Sequence, residues 1–137
     1  LDRIDNVTPL PEIKFVPCED DLAERFEDIV GVTLYEDRKL EHIIFWVSDF
    51  SKDYIITKPI HESQKHLKSD ISDDIHRRYP NLKGGAFFSI DCIPNYELIR
   101  ELCSFGKELI VLEPYSIQNE IYNRITLMIE EYSSVRI

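Results

Sequence analysis

Runs of apolar residues along the chain predict three strands. EHIIFWV (41–47) is apolar on both faces and rich in β-branched and aromatic residues, which is typical of a central strand covered on both sides. AFFSIDC (86–92) alternates between apolar and polar residues, so one of its faces is expected to be buried. LIVLEP (109–114) is a third apolar run, closed by a proline. We expect these segments to pair in one sheet.

Helical periodicity appears between and after these strands. Asn95 is the expected N-cap of a helix that ends at Gly106, and Ser48 or Asp49 is expected to cap an earlier one. An acidic first turn predicts a further helix in DDLAERFEDIV (20–30). The last helix carries apolar residues at steps of four, four, three and four, namely Ile117, Ile121, Ile125, Met128 and Tyr132. This stripe predicts a terminal helix that packs rather than a free tail.

A polar segment, HESQKHLKS (61–69), precedes AFFSIDC and is expected to be an edge strand guarded by Lys65 and Lys68. The following SDISDDIHRRYPNLKGG is charged and marked by proline and glycine, which predicts a loop with at most a helical turn. From residue 41 the order is therefore β-α-β-β-α-β. It predicts an α+β fold, a ferredoxin-like βαββαβ antiparallel sheet with an extra C-terminal helix and with two helices on one face.

Composition narrows the classes of function. The chain has 137 residues, enough for one domain, and a net charge of −10, which opposes attraction of the whole surface to a phosphate backbone. Its three cysteines are an odd number without CxxC spacing, as expected in a reducing cytoplasm. No run approaches 18 apolar residues, and the basic-then-apolar pattern of a signal sequence does not occur in these residues. Because the chain begins with Leu1 rather than Met, we expect it to be part of a longer protein.

Candidate chemistry is sparse. His61-Glu62 followed by His66 resembles HExxH, but the spacing is one residue too long, so no metal site is predicted. No GxSxG motif surrounds a serine, and the two glycines at 84–85 precede a strand rather than a helix. Cys92 and Cys103 fall on apolar faces and are expected to be inert. The sequence therefore predicts no catalytic residue and no cofactor.

One polar strip remains as a candidate site. It contains His61, Ser63, Gln64, Lys65 and His66, with Arg77 and Arg78 nearby. As an edge strand with donors and positive charge, it is a candidate to receive an anionic ligand or a partner strand, while the simpler interpretation is a protected edge. A third interpretation is a nucleic-acid sensor that uses the sheet face. Phe87 would serve it, but Asp91 on the same face opposes bound phosphate.

Several stretches together resemble a known family. SFGKELIVLEPYSIQNEIYNRITLMIEEY (104–132) is similar to the C-terminal signature of WYL-domain transcriptional regulators. FEDIVGVTLYED (26–37) and IIFWVSDFSKDYIITKPIHESQ (43–64) are similar to the opening of the same C-terminal extension, the WCX domain. LDRI at residues 1–4 resembles the last strand of the WYL domain itself. The resemblance covers almost the whole chain.

The resemblance implies a layout for the protein. Residues 1–17 would be the end of an Sm-like WYL barrel and a linker, and residues 18–137 would be a WCX-like domain. Arg3 matches a position at which the barrel of the family carries a ligand-contacting arginine. The chain lacks the helix-turn-helix and nearly all of the barrel, so binding to DNA is expected only through those upstream domains.

The expected function is therefore that of a non-enzymatic regulatory domain in a bacterial, cytoplasmic WYL-type regulator. It would contribute to assembly, as a homodimer, and to sensing an effector that is a ligand or a nucleic acid, without a membrane partner. The alternative is a small enzyme or ligand-binding domain on the same fold. Tyr122 and Ile129 lie off the main stripe of the last helix, and we expect them to meet another subunit or the upstream barrel.

Overall fold

The computed structural model describes residues 3–19, 21–68 and 70–136. Its elements in chain order are α1 (Leu22–Glu27), β1 (Glu41–Val47), α2 (Lys52–Thr57), β2 (Lys65–Leu67), α3 (Asp70–Arg78), β3 (Ala86–Cys92), α4 (Tyr96–Ser104), β4 (Leu109–Glu113) and α5 (Tyr115–Val135). A 3-10 turn joins α4 to β4. The strands form an antiparallel sheet in the order β2-β3-β1-β4, with β1 and β3 in the centre. The predicted ferredoxin-like α+β arrangement is confirmed.

One face of the sheet carries the main core. Ile43, Phe45 and Val47 project to this face, because alternate residues of a strand point to the same side, and none of them is exposed. Phe45 stacks on Phe88 of the neighbouring strand, with 5.8 Å between the ring centroids. Helices α2 and α4 add Ile55, Leu98, Ile99 and Leu102 to the same cluster. The prediction of two helices on one face is therefore confirmed.

The opposite face of the sheet is covered by α3. Ile75 of this helix is buried in a second cluster with Trp46 and Phe87 of the sheet. The ring of His76 meets Phe87 edge-on, at 4.7 Å between centroids. Trp46 also donates a hydrogen bond of 3.0 Å from Nε1 to the carbonyl oxygen of Gly84, which ties the following loop to the sheet. The prediction of a loop with at most a helical turn is wrong for this segment, because Ile75 anchors a nine-residue helix.

The start of α4 is fixed by a buried asparagine. Asn95 is the N-cap, as predicted, and its Oδ1 accepts a hydrogen bond of 2.8 Å from the backbone N–H of Leu98. Its Nδ2 donates to the carbonyl oxygens of Val30 and Thr33, at 2.7 and 3.0 Å. One fully buried side chain therefore caps a helix and holds the loop that follows α1.

The start of α2 differs from the prediction. The N-cap is Ser51, not Ser48 or Asp49. The carbonyl oxygen of Ser48 accepts hydrogen bonds from the N–H groups of Ser51 and Lys52, so a turn precedes the helix. The hydroxyl of Ser48 bonds to Glu108, and Asp49 forms an ion pair of 2.7 Å with Lys52. Both predicted caps therefore have other partners.

Only the first part of α5 packs against the domain. Ile117 is buried and Ile121 is half-buried, as the predicted stripe requires, but Ile125, Met128 and Tyr132 are 44, 55 and 68% exposed. A helix of 21 residues is about 31 Å long, whereas the five residues of β4 span about 17 Å. The helix therefore extends beyond the sheet, and the prediction that its whole stripe packs on the domain is wrong beyond Ile121.

Candidate functional site

The polar strip predicted to be one edge strand is divided by the structure. Strand β2 covers only Lys65–Leu67, at the predicted edge of the sheet, and residues 61–63 form a turn before it. We call His61, Ser63 and Gln64 the inner part of the strip, since their side chains bond to the domain. Lys65 and His66 are its outer part, since both are exposed. The prediction of a strand over 61–69 is therefore wrong for its first four residues.

His61 links the end of α1 to the turn. Only 9% of this residue is exposed. Its Nε2 lies 2.8 Å from the carbonyl oxygen of Glu27 and, because a carbonyl oxygen only accepts, Nε2 must be the donor. Its Nδ1 lies 2.7 Å from Oγ of Ser63. His61 is therefore buried between α1 and the turn.

Ser63 continues this link to the sheet. Its Oγ accepts a hydrogen bond of 2.8 Å from the backbone N–H of Asp91 and lies 2.9 Å from the carbonyl oxygen of the same residue. The carboxylate of Asp91 in turn lies 2.6 Å from Nδ1 of His42, its cross-strand neighbour on β1. A chain of hydrogen bonds thus runs from α1 through the turn to the two central strands.

Gln64 holds the connection between α2 and β2. Its Nε2 donates a hydrogen bond of 2.9 Å to the carbonyl oxygen of Ile55, and its Oε1 accepts one of 3.0 Å from the N–H of Ile60. The side-chain amide therefore provides hydrogen-bond partners for two backbone groups that lie outside the sheet. All three residues of the inner part contribute to the fold, which leaves the outer part as the accessible surface.

The positive charge of the outer part belongs to Lys65 rather than to His66. His66 stacks on Phe88 at 4.8 Å between ring centroids, and burial lowers the pKa of this imidazole, helped by the charges of Lys68 and Lys52. Lys65 is exposed beside it. On the part of the chain that the structure describes, β2 pairs with β3 alone, so its outer edge has no strand partner. An anion or an acidic strand is the ligand chemistry that suits this edge.

A groove lies on the other side of the inner part, between α1 and the turn at residues 59–62. It has a volume of about 880 Å³ and is open to solvent. The apolar residues among its lining are Phe26, Ile29, Val30 and Ile60. The carboxylates around it belong to Asp21, Glu24, Glu27 and Glu62. This negative rim disfavours a phosphate-bearing ligand, in contrast to the lysines of the outer part.

Reactive thiols do not line either surface. Cys92 is buried in the main core, and burial raises the pKa of its thiol to about 12. Burial also raises the pKa of the half-buried Cys103. Cys18 is exposed in the N-terminal segment, residues 3–19. Within residues 3–19, 21–68 and 70–136, no group of three His, Cys, Asp or Glu side chains is placed to hold a metal ion.

The remaining predicted residues lie at the two ends of the chain. Arg3 is exposed at the start of the N-terminal segment. Tyr122 and Ile129 of α5 are 67 and 59% exposed, and their role as an interface stays a prediction. Phe87 is 1% exposed beneath α3, so it is not available to stack on a base, as the interpretation of the sheet face as a nucleic-acid sensor required.

Sequence reasoning missed the negative groove and the helix over the sheet. The groove depends on α1 and a turn more than 30 residues apart in the chain, and only the carboxylates of α1 gave any signal of it. No protein-family model matches the chain, and no match was found among curated proteins. Among the helices that the structure describes, none has the length and apolar character needed to cross a membrane.

Proposed function

We propose that this chain is a non-enzymatic regulatory domain of a bacterial, cytoplasmic WYL-type transcriptional regulator. In that protein it contributes to assembly and to effector sensing, while DNA is bound by upstream domains. The observation that carries this proposal is the apolar surface left at both ends of a domain whose sheet is otherwise covered on both faces. Such surface is typical of a module completed by other protein surfaces.

The N-terminal segment supplies one of these surfaces. Its large apolar side chains are between 53 and 86% exposed, and they are Ile4, Val7, Leu10, Ile13, Phe15 and Val16. The resemblance assigns this segment to the end of a WYL barrel and the linker after it. Contact with that barrel would bury these side chains, which supports a domain that works beside a neighbour rather than alone.

One contact favours the alternative of a small enzyme. Oγ of Ser63 lies 2.7 Å from Nδ1 of His61, a distance at which a base can activate a nucleophile. The same Oγ, however, already bonds to the backbone N–H and carbonyl groups of Asp91. The other nitrogen of His61 bonds to a backbone carbonyl rather than to an orienting carboxylate. The pair therefore suits a structural role.

Esterase assays separate these two functions. Ser63→Ala should leave the hydrolysis of p-nitrophenyl acetate at the rate of the unaltered chain, because neither hydroxyl nor imidazole is free to react. A rate that falls at least about tenfold in Ser63→Ala, but not in Ser104→Ala, would instead support the enzyme.

The regulatory function is tested on the longer protein that contains this chain. The probe is fluorescein-labelled double-stranded DNA from the region upstream of its own gene. We expect the longer protein to bind this probe, and removal of residues 18–137 to lower its affinity at least about tenfold because assembly is lost. A longer protein without a DNA-binding domain, or nanomolar sequence-specific binding by the isolated chain, would contradict the proposal.

A further inference from the structure

The distal half of α5 presents an apolar face that the domain does not cover. We define the distal face as Tyr122, Ile125, Met128, Ile129, Tyr132 and Val135, whose exposed fractions run from 44 to 72%. At about 100° per residue these side chains lie within about 140° of one another on the helix. Ile117, which is buried in the main core, falls on the same stripe. The distal face is thus a direct continuation of a packed core surface.

The edge of this face carries a pair of opposite charges. Arg124 and Glu131 are seven residues apart and therefore lie on the same side of the helix, about 10 Å from each other along its axis. The guanidinium of Arg124 lies 5.5 Å from the ring centroid of Tyr96. The carboxylate of Glu131 has no ion pair within residues 3–19, 21–68 and 70–136. Arg124 and Glu131 are too far apart to form an ion pair with each other. A second helix that packs on this edge can therefore pair with both.

These charges are self-complementary in one orientation. When two identical helices pack antiparallel, the same edges face each other, so residues whose numbers add to nearly the same value, here about 256, lie close to each other. A twofold axis near Met128 sets Arg124 against Glu131 of the partner subunit, and the reverse contact repeats the pair. A parallel arrangement would set this edge against Thr126 and Ser133, which carry no charge.

We propose that two copies of this chain associate through antiparallel pairing of the distal faces of α5, with Met128 at the twofold axis. Ile121 then meets Val135 of the partner subunit, and Ile125 meets Tyr132 of the partner subunit. Each globular body contacts its own helix as far as Arg124, and the helix extends beyond it to residue 135, so the two bodies lie at opposite ends of the helix pair. The pairing rests on the proposed function for its role in assembly and specifies the surface used.

The size of the contact sets its expected strength. Residues 121–135 form about 21 Å of helix. One face of a helix of this length buries less area than the roughly 800 Å² per partner of a standard interface. We therefore expect the isolated chain to be in equilibrium between monomer and dimer, with a Kd on the order of micromolar.

Disulfide cross-linking tests the position of the axis. A residue on a twofold axis lies beside its own copy, so Met128→Cys should give a covalent dimer under mild oxidation. Cys18→Ser serves as the background, because Cys18 is the exposed native thiol. Leu127→Cys is the matched control, since Leu127 is 62% exposed and lies about 150° around the helix from the centre of the distal face. Equal cross-linking at both positions, or none at Met128→Cys, would overturn the proposal.

Charge exchange tests the orientation. In sedimentation equilibrium, Arg124→Glu and Glu131→Arg should each raise the Kd at least about tenfold, and the double variant should return it to within about threefold of the original. Circular dichroism melting confirms that each variant is folded. A double variant as weak as the single ones would overturn the antiparallel register.

The two proposals fail separately. A chain that stays monomeric to about 100 μM, well above the expected Kd, would overturn the pairing of α5. If the longer protein still requires residues 18–137 to bind its DNA, the regulatory function survives that result. If the chain dimerises through Met128 but the longer protein has no DNA-binding domain, the pairing survives and the regulatory function does not.

Discussion

The proximal and distal halves of α5 carry the same apolar periodicity but have different surroundings. Ile117 in the first turn is 2% exposed, whereas Tyr132 in the last turns, on the same stripe, is 68% exposed. The polar strip is also divided into a buried and an exposed part, since His61 is buried and Lys65 is exposed. Periodicity thus predicts that a face is suited to burial, but the length and position of the neighbouring elements decide what covers it.

The largest expected effect separates the two halves of α5. Ile117→Asp places an unpaired carboxylate in the main core and should lower the free energy of unfolding by more than about 4 kcal/mol, measured by urea denaturation. Ile129→Asp should change that free energy by no more than about 0.5 kcal/mol, because the site is exposed. It should nevertheless weaken self-association in sedimentation. Equal destabilisation by both variants would mean that the distal face is covered by its own domain.

The second prediction concerns the inner part of the polar strip. Ser63→Ala removes a hydroxyl that bonds to Asp91 and should lower the free energy of unfolding by about 1–3 kcal/mol. Gln64→Ala should lower it within the same range, about 1–3 kcal/mol, because two backbone groups lose their partner. Lys65→Ala on the outer part is the control and should stay within about 0.5 kcal/mol. A neutral Gln64→Ala would show that water replaces both bonds.

The third prediction concerns pH and gives the smallest effect. Oε1 of Glu97 accepts a hydrogen bond of 2.7 Å from the hydroxyl of Thr33, and this bond holds the pKa of the carboxyl below its ordinary value of 4.5. Since the folded pKa is the lower one, the stabilisation is complete above pH 4.5 and is lost as the pH falls through the folded pKa. Glu97→Gln should therefore flatten the acid limb of stability in thermal melts. Glu101→Gln on the same helix is the control, and an equal change in both variants would contradict this role.

The strands and the main helices follow from the sequence because each carries a strong local signal. The doubly apolar EHIIFWV could only be central, and Asn95 before an apolar stripe marked the start of α4. Helix α3 has a weaker apolar signal, since Ile75 is its one buried residue, although its first turn is acidic and its last turn is basic, as suits the helix dipole. The packing of Ile75 on Trp46 and Phe87 adds a contact that the local sequence does not predict.

The polar strip was harder to predict for a different reason. The residues around His61 are compatible both with an exposed edge strand and with a buried turn, so the local sequence does not distinguish the two. His61 is buried because the carbonyl oxygen of Glu27 and the hydroxyl of Ser63 are within its reach, and neither contact follows from periodicity. Alternation does not explain the exposure of Lys65 and His66, because adjacent residues of a strand point to opposite faces. Both are exposed because β2 lies at the edge of the sheet.

The covering of the sheet by α3 gives the protein an internal optical probe. Trp46 is the only tryptophan of the chain, and it lies in the cluster that α3 closes, with its indole N–H bonded to Gly84. Displacement of α3 or of its loop would expose the indole to water and shift its fluorescence emission to longer wavelength. Excitation at the long-wavelength edge of the absorption band, where tyrosine does not absorb, therefore reports on this face without any label.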